Sequence, residues 1–149
     1  MASPPTTPIA IDTNVLVYAQ REEMEKHDAA QSLIDHLVAG DTPWGIPVFC
    51  IGEFLRVVTN RGAFRPPTPL DKALGVIDSL LQSPSVRLLR PGDRYWKIFN
   101  QVATQANVSG NLVFDAQIVA VCLEHGFRAI VSDDRDMRQF EGLEAVPIT

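Results

Sequence analysis

The sequence predicts an α/β fold in which helices cover both faces of a parallel sheet. Short apolar segments such as residues 129–132 alternate with longer segments whose apolar residues recur every three or four positions. The first pattern is typical of strands buried on both faces, and the second of amphipathic helices. Their alternation favours a parallel sheet. At 149 residues, 46% of them hydrophobic, the chain is long enough for a proper core, and we predict a single domain over residues 1–149.

The predicted elements follow one another with short connections. We expect a strand ending at Ile11, a helix beginning near Asn14, and a second helix capped by Asp28 and ended by Gly40. Further strands are predicted at residues 44–46, 86–89, 129–132 and 145–148, and further helices at 47–58, 68–81, 93–106 (capped by Asp93) and 111–125. Residues 1–7 lack a basic region followed by an apolar segment, so we expect a frayed tail there and not a secretory signal.

Composition limits the classes of function. No apolar run reaches the roughly 18 residues that a membrane span needs. Cys50 and Cys122 each lie in an apolar stretch, which favours buried free thiols over a disulfide. We therefore expect a cytoplasmic protein without membrane contact. The net charge of −5 argues against simple electrostatic binding of nucleic acid, although carboxylates gathered around a cation would account for most of it.

Acidic residues occupy four places where burial is expected. Asp12 and the cluster Asp133–Asp136 follow predicted strands, at the edge where open α/β sheets place ligand sites. Glu53 and Asp115 lie within apolar helices. Buried carboxylates need partners, and the three lysines lie away from these motifs in sequence. A divalent cation would meet the need, and ligation by oxygen alone indicates Mg²⁺ or Mn²⁺.

Each acid also has a purely structural explanation. Asp12 fits the N-cap of the first helix, and Glu53 could simply protrude into solvent. Asp115 fits a first-turn acid favoured by the helix dipole, and the cluster at residues 133–136 fits a solvated turn. For any one acid the two explanations are about equally good. Their occurrence together favours a metal site.

With these motifs in hand, the chain resembles the PIN-domain ribonucleases, specifically the VapC-like toxins of type II toxin–antitoxin pairs, from about residue 9 to residue 149. Four segments carry the resemblance in the family's order and spacing: Asp12–Asn14, Ile51–Phe54, Gly110–Ala116 and Ser132–Met137. Ser132 stands where the family usually has Thr and keeps the hydroxyl. Met137 stands where it usually has Phe and keeps an apolar plug.

The resemblance implies a three-layer α/β/α PIN-like fold with a five-stranded parallel sheet in the order 3-2-1-4-5. It implies an endoribonuclease that hydrolyses RNA phosphodiester bonds with metal-activated water. The residues that would hold one or two Mg²⁺ or Mn²⁺ ions are Asp12, Glu53, Asp115 and Asp134, with Asp136 close by. Asn14 and Ser132 would orient the carboxylates.

The resemblance also implies partners. These are an RNA substrate, a cognate VapB-like antitoxin and a second copy of the chain in a homodimer. An antitoxin Arg could pair with the site acids, and its apolar helix could cover the surface near the second to fourth helices. The loop at residues 60–68, with Arg61, Phe64 and Arg65, is a candidate contact for RNA or antitoxin.

The last acidic segment offers several carboxylates for one site. Side chains alternate along an extended chain, so Asp133 and Asp134 should point in different directions. The family pattern assigns the functional acid to Asp134, which makes Asp133 a turn or surface acid. Asp136 would reach the same cleft if the chain stays extended and would be lost to it if the chain turns.

Two other functions remain open from the sequence. A metal-dependent phosphatase on a similar sheet would carry a second aspartate two residues after the first, but that position is Asn14. A non-catalytic PIN-like module that binds RNA or protein would be favoured by the loss of an acid, and none is lost.

Overall fold

The computed structural model describes residues 7–149 and contains five strands, six α-helices and one 3₁₀ helix. The strands are β1 (Ile9–Ile11), β2 (Trp44–Pro47), β3 (Val86–Leu89), β4 (Ala129–Val131) and β5 (Glu144–Val146). The helices are α1 (Thr13–Gln20), α2 (His27–Ala39), α3 (Val48–Val58), α4 (Leu70–Leu81), α5 (Tyr95–Ala106) and α6 (Leu112–Glu124), and the 3₁₀ helix is Arg135–Gln139. The tail predicted at residues 1–7 lies outside the described residues, apart from Thr7.

The strands form one parallel sheet in the order β3-β2-β1-β4-β5, which confirms the predicted order. β1 lies at the centre, where Ala10 is paired with Gly45 of β2 on one side and Ile130 of β4 on the other. The chain proceeds outward from β1 in one direction and returns to build the other half of the sheet. The carboxyl ends of β1 and β4 therefore flank the switch point at which sheets of this kind bind ligands.

Both faces of the sheet are covered, as predicted. Successive residues of a strand point to opposite faces, yet Ala10, Ile11, Ile130 and Val131 are all buried. α1 packs against α2 and α3, α3 packs against α4, and α5 packs against α6. Cys50 and Cys122 are buried free thiols, as expected. Within residues 7–149, no helix combines the length and apolar character that crossing a membrane requires.

Two predicted helix caps are wrong. The N-cap of α2 is Lys26 and that of α5 is Arg94, and neither side chain makes a capping hydrogen bond. The Lys26 carbonyl accepts a hydrogen bond from Ala30 N–H, so the helix is under way before Asp28, which lies in its first turn. In α5, the first helical hydrogen bond runs from Ile98 N–H to the Arg94 carbonyl, so Arg94 is the cap and Asp93 lies before it.

Candidate active site

Asp12 is fixed between the ends of β1 and β4. Its backbone N–H donates to the Val131 carbonyl at 3.0 Å, and its Oδ1 accepts from Thr13 N–H at 2.7 Å as the N-cap of α1. Ser132 follows β4 and donates its hydroxyl to Asp12 Oδ2 at 2.6 Å. The same Ser132 oxygen accepts from Asp134 N–H at 3.0 Å. The capping and site explanations of Asp12 are therefore compatible, because the cap holds the carboxylate at the switch point.

Three further carboxylates converge beside Asp12. One oxygen each from Asp115, Asp134 and Asp136 lies within 4.8 Å of the other two. The 3₁₀ helix brings Asp136 into this group, because Asp134 caps that helix and accepts from Asp136 N–H at 2.9 Å. The expectation that a turn would remove Asp136 is wrong, since here the turn folds it back toward Asp134.

Glu53 lies on α3 at the rim of the site. Its side chain is 47% exposed, so the expectation of burial is wrong for this acid. Its Oε2 accepts from the Thr13 hydroxyl at 3.4 Å, and its Oε1 lies 3.8 Å from the Arg56 guanidinium. Thr13 thus connects Glu53 to the Asp12 region. The only sign of the role of Thr13 in the sequence is that Thr13 directly follows Asp12 at the start of a helix.

The acids repel one another, and Asp115 shows the effect most clearly. Burial, followed by the charges of Asp134, Asp12, Asp136 and Glu53, raises the pKa of Asp115 from 3.8 to about 7. The other four predicted acids therefore all act electrostatically on Asp115.

The chain supplies little compensation for this charge. Burial raises the pKa of Asp12, although hydrogen bonds from Ser132 and Thr13 work in the opposite direction. In the part of the chain that the structure describes, no Lys or Arg forms a salt bridge with Asp12, Asp115 or the two acids of the 3₁₀ segment. A group of carboxylates without a protein cation has the chemistry of a cation site.

Asp133 and Asp134 point in different directions, as predicted. Asp133 forms a salt bridge with Lys26, and its Oδ1 accepts from Ile148 N–H at 3.0 Å. Burial by itself would raise the pKa of Asp133, but the bonds from Lys26 and Ile148 lower it overall. Lys26 lies 107 residues away, so its contact could not be foreseen from sequence proximity.

Asn14 makes no hydrogen bond to the site acids. Its Oδ1 is buried and has no hydrogen-bond partner among the described residues.

The loop at residues 60–68 contacts the rest of the chain through Phe64. The guanidinium of Arg21 lies 4.5 Å from the centre of the Phe64 ring, while Arg61 and Arg65 are exposed. Phe64 is therefore already engaged within the chain.

Two open cavities adjoin the acids, and Glu53 lines both. The smaller, of about 210 Å³, is also lined by Asp12, Thr13 and Asn14. The larger, of about 580 Å³, lies between α3 and α6, and Asp115 forms part of its wall. The acids can therefore be reached by a ligand from the α3–α6 side.

Comparison with known proteins identifies the family of the chain. Residues 9–143 match the family model of the PIN domain. Ribonuclease VapC43 from Mycobacterium tuberculosis is 38% identical over 135 residues, which cover 91% of each protein. Ribonuclease VapC31 from the same species is 31% identical over 136 residues, covering 91% of this chain and 95% of its own length.

A solved structure shares the fold at lower identity. VapBC2 from Rickettsia felis, bound to a DNA fragment from their promoter, has a TM-score of 0.70 at 14% identity, over 96% of this chain and 100% of the compared one. The chain belongs to the PIN-domain family and, within it, to the group of VapC ribonucleases.

Proposed function

We propose that this chain is a divalent-cation-dependent endoribonuclease and the toxin of a type II toxin–antitoxin pair. The observation that carries the proposal is the convergence of Asp115, Asp134 and Asp136 beside Asp12 without a protein cation. RNA as the substrate is supported by the relatives that are named ribonucleases at 31–38% identity.

The residues fit a hard cation. Every donor is a carboxylate oxygen, as Mg²⁺ and Mn²⁺ prefer. Burial and then repulsion from the neighbouring acids raise the pKa of Asp115, and a bound ion would relieve that repulsion. Asp115, Asp134 and Asp136 would hold the ion, with Asp12 and Glu53 completing the set. When bound, the ion would activate water and neutralise charge on the phosphodiester.

The chain's own residues position this set. Ser132 donates to Asp12 and accepts from the Asp134 backbone, so one hydroxyl fixes the spacing of two acids that follow neighbouring strands. The Thr13 hydroxyl steers Glu53 toward the same cleft. Of the two residues predicted to orient carboxylates, Ser132 has the contacts that the role needs, and for Asn14 the role stays a prediction.

The test is cleavage of RNA by purified, antitoxin-free protein. Total cellular RNA is incubated with wild type and with Asp134→Asn in Mg²⁺, in Mn²⁺ or in EDTA. We expect cleavage by wild type only when the cation is present, and little cleavage by the variant. Equal cleavage in EDTA, or equal cleavage by the two proteins, would contradict the proposal. A non-catalytic binding module would retain RNA on a filter without shortening it.

For the antitoxin, we propose a groove of about 490 Å³ between α1, α2 and α4. Its walls include Leu16, Ile34, Val76 and Leu80, with Lys72 also contributing to the lining. A groove of this kind suits the apolar face of a helix. Crystal structures with a similar fold include VapBC complexes from Rickettsia felis and Salmonella typhimurium, which supports a VapB-like partner.

Gly75 offers a test of this groove. It lines the groove, and a Cβ at this position would meet no other atom within 4 Å. Gly75→Leu should therefore fill the groove without disturbing α4. We expect it to keep wild-type RNA cleavage while losing inhibition by the co-expressed antitoxin. Inhibition equal to that of wild type would place the antitoxin elsewhere.

We also propose that the chain forms a homodimer, in wild type and in Gly75→Leu alike. Light scattering on these two proteins tests this proposal.

A further inference from the structure

The cavity between α3 and α6 has an arrangement that the acids alone do not explain. Beside Glu53 and Asp115, its wall includes Arg56 on α3 and Phe114 on α6. Its volume of about 580 Å³ lies within the range of about 300–1,000 Å³ typical of ligand pockets. A planar aromatic group and a cation thus stand on two different helices next to the carboxylates.

Phe114 is 62% exposed although it precedes a buried segment of α6. No aromatic ring within residues 7–149 stacks on it. Because Phe114 and Asp115 line the same cavity, a base that stacks on the Phe114 ring brings its backbone close to the acids. Stacking on an exposed aromatic ring is a common way of holding unpaired bases.

Arg56 has free hydrogen-bonding capacity. Its side chain is 67% exposed, and its contact with Glu53 is long at 3.8 Å. Among the residues that form the wall of this cavity, it is the only Arg or Lys. Guanidinium groups bind phosphate oxygens in a bidentate manner, and a cation here would offset the repulsion between the acids and an RNA backbone.

We propose that this cavity binds one unpaired nucleotide beside the scissile phosphate, with Phe114 stacking on its base and Arg56 contacting its phosphate. The proposal rests on the ribonuclease function proposed above and assigns two substrate-positioning residues to it. Because a base inside a duplex cannot expose its face to Phe114, the cleft selects single-stranded RNA.

Steady-state cleavage of a short, labelled single-stranded RNA in Mg²⁺ tests the proposal. Phe114→Ala removes the ring on which the base stacks, so it should raise KM about tenfold while kcat is largely kept. Phe114→Trp should restore KM. Arg56→Ala should raise KM and reduce its dependence on salt, and Arg56→Lys should recover part of the affinity. The same RNA annealed to its complement should be cleaved poorly by wild type.

Two control variants are matched to these. Trp96 on α5 is 68% exposed and is not among the residues that line the cavity, so Trp96→Ala should keep the wild-type KM. Gly52 lines the cavity and has open space where a Cβ would lie, so Gly52→Leu should fill the cavity and raise KM.

Several results would overturn the proposal. The first such result is a KM equal to that of wild type in both Phe114→Ala and Arg56→Ala. A fall of kcat alone in Arg56→Ala would mean that Arg56 acts through Glu53. If wild type is a dimer and Phe114→Ala is a monomer, the Phe114 ring belongs to the interface between two copies of the chain. Equal cleavage of duplex and single strand would also refute it. These results differ from failure of the ribonuclease function, in which wild type itself cleaves no RNA.

Discussion

At the scale of single residues, the site depends on small groups that hold the acids. Ser132 contacts the Asp12 carboxylate and the Asp134 backbone with one oxygen. Asp134 in turn accepts from the backbone of Asp136. Three successive contacts therefore connect the end of β1 to the 3₁₀ helix, and the acids of the segment after β4 should differ sharply in their importance.

The first prediction compares three conservative changes in that segment. We expect the cleavage rate to fall about 100-fold in Asp134→Asn and about tenfold in Asp136→Asn, and to change less than about twofold in Asp133→Asn, because only the first two side chains join the cluster. Circular dichroism verifies that all three fold. Abolished cleavage in Asp133→Asn with an active Asp134→Asn would place the register of the motif one residue away.

At the scale of elements, β5 is short and depends on contacts beyond its ladder. It has three residues at the edge of the sheet, and its pairing with β4 is continued by the bond from Ser132 N–H to the Val146 carbonyl. Beyond the strand, Asp133 accepts from Ile148 N–H and pairs with Lys26, the N-cap of α2. One carboxylate thus connects the end of the chain to the start of a distant helix.

The second prediction tests this connection with a double-mutant cycle. Lys26→Met and Asp133→Asn should each lower the melting temperature by a small amount, since the pair is partly exposed. The double variant should be no less stable than Asp133→Asn alone, because both changes break the same ion pair. Additive effects, measured by thermal unfolding at low salt, would show that the two side chains stabilise the fold independently.

The sequence identified elements well where one physical signal dominated. The strand at residues 129–131 was predictable because strands of a parallel sheet covered on both faces are apolar runs, and Gly126, at a φ of +80°, marks the end of α6. The 3₁₀ helix was not predictable, because its five residues include one apolar side chain, Met137, and so have no hydrophobic period. Likewise, the contact between Lys26 and Asp133 is set by tertiary structure alone.

The candidate site was predictable only in part, because tertiary structure alone sets some of its contacts. Acids that follow strands are brought together by the sheet order, and because the family resemblance implied that order, Asp12 and Asp134 could be placed near each other. The position of Glu53 was left open between burial and protrusion into solvent, because its neighbours in α3 are apolar, and only the packing of that helix shows its side chain at the rim. Arg56 and Phe114 carry no signal in the sequence that separates them from ordinary helix residues.

At the scale of the whole molecule, the cluster couples folding to protons and cations. Burial and the neighbouring acids raise the pKa of Asp115 to about 7 from its ordinary 3.8. A group whose pKa rises on folding stabilises the fold below its unfolded pKa, and this contribution is lost as the pH rises through the folded value. Burial raises the pKa of Asp12 as well, so its effect has the same sign.

The third prediction follows for metal-free protein. In EDTA, the melting temperature should fall between pH 6 and pH 8, because Asp115 becomes charged among other carboxylates. Mg²⁺ should raise it more at pH 8 than at pH 6, since the ligands must be deprotonated to bind. Asp115→Asn serves as the control, and its melting temperature in EDTA should depend less on pH. An unchanged pH dependence in that variant would assign the effect to other groups.

The hydrogen bond between Ser132 and Asp12 joins residues 120 positions apart, and this has a consequence for biosynthesis. Chains leave the ribosome from the amino terminus, so Asp12 emerges more than 120 residues before Asp134 and Asp136. A nascent chain stopped before β4 lacks every acid of the 3₁₀ segment. The cluster cannot assemble on such a chain, and a translating ribosome is therefore not exposed to it until the segment after β4 has been synthesised.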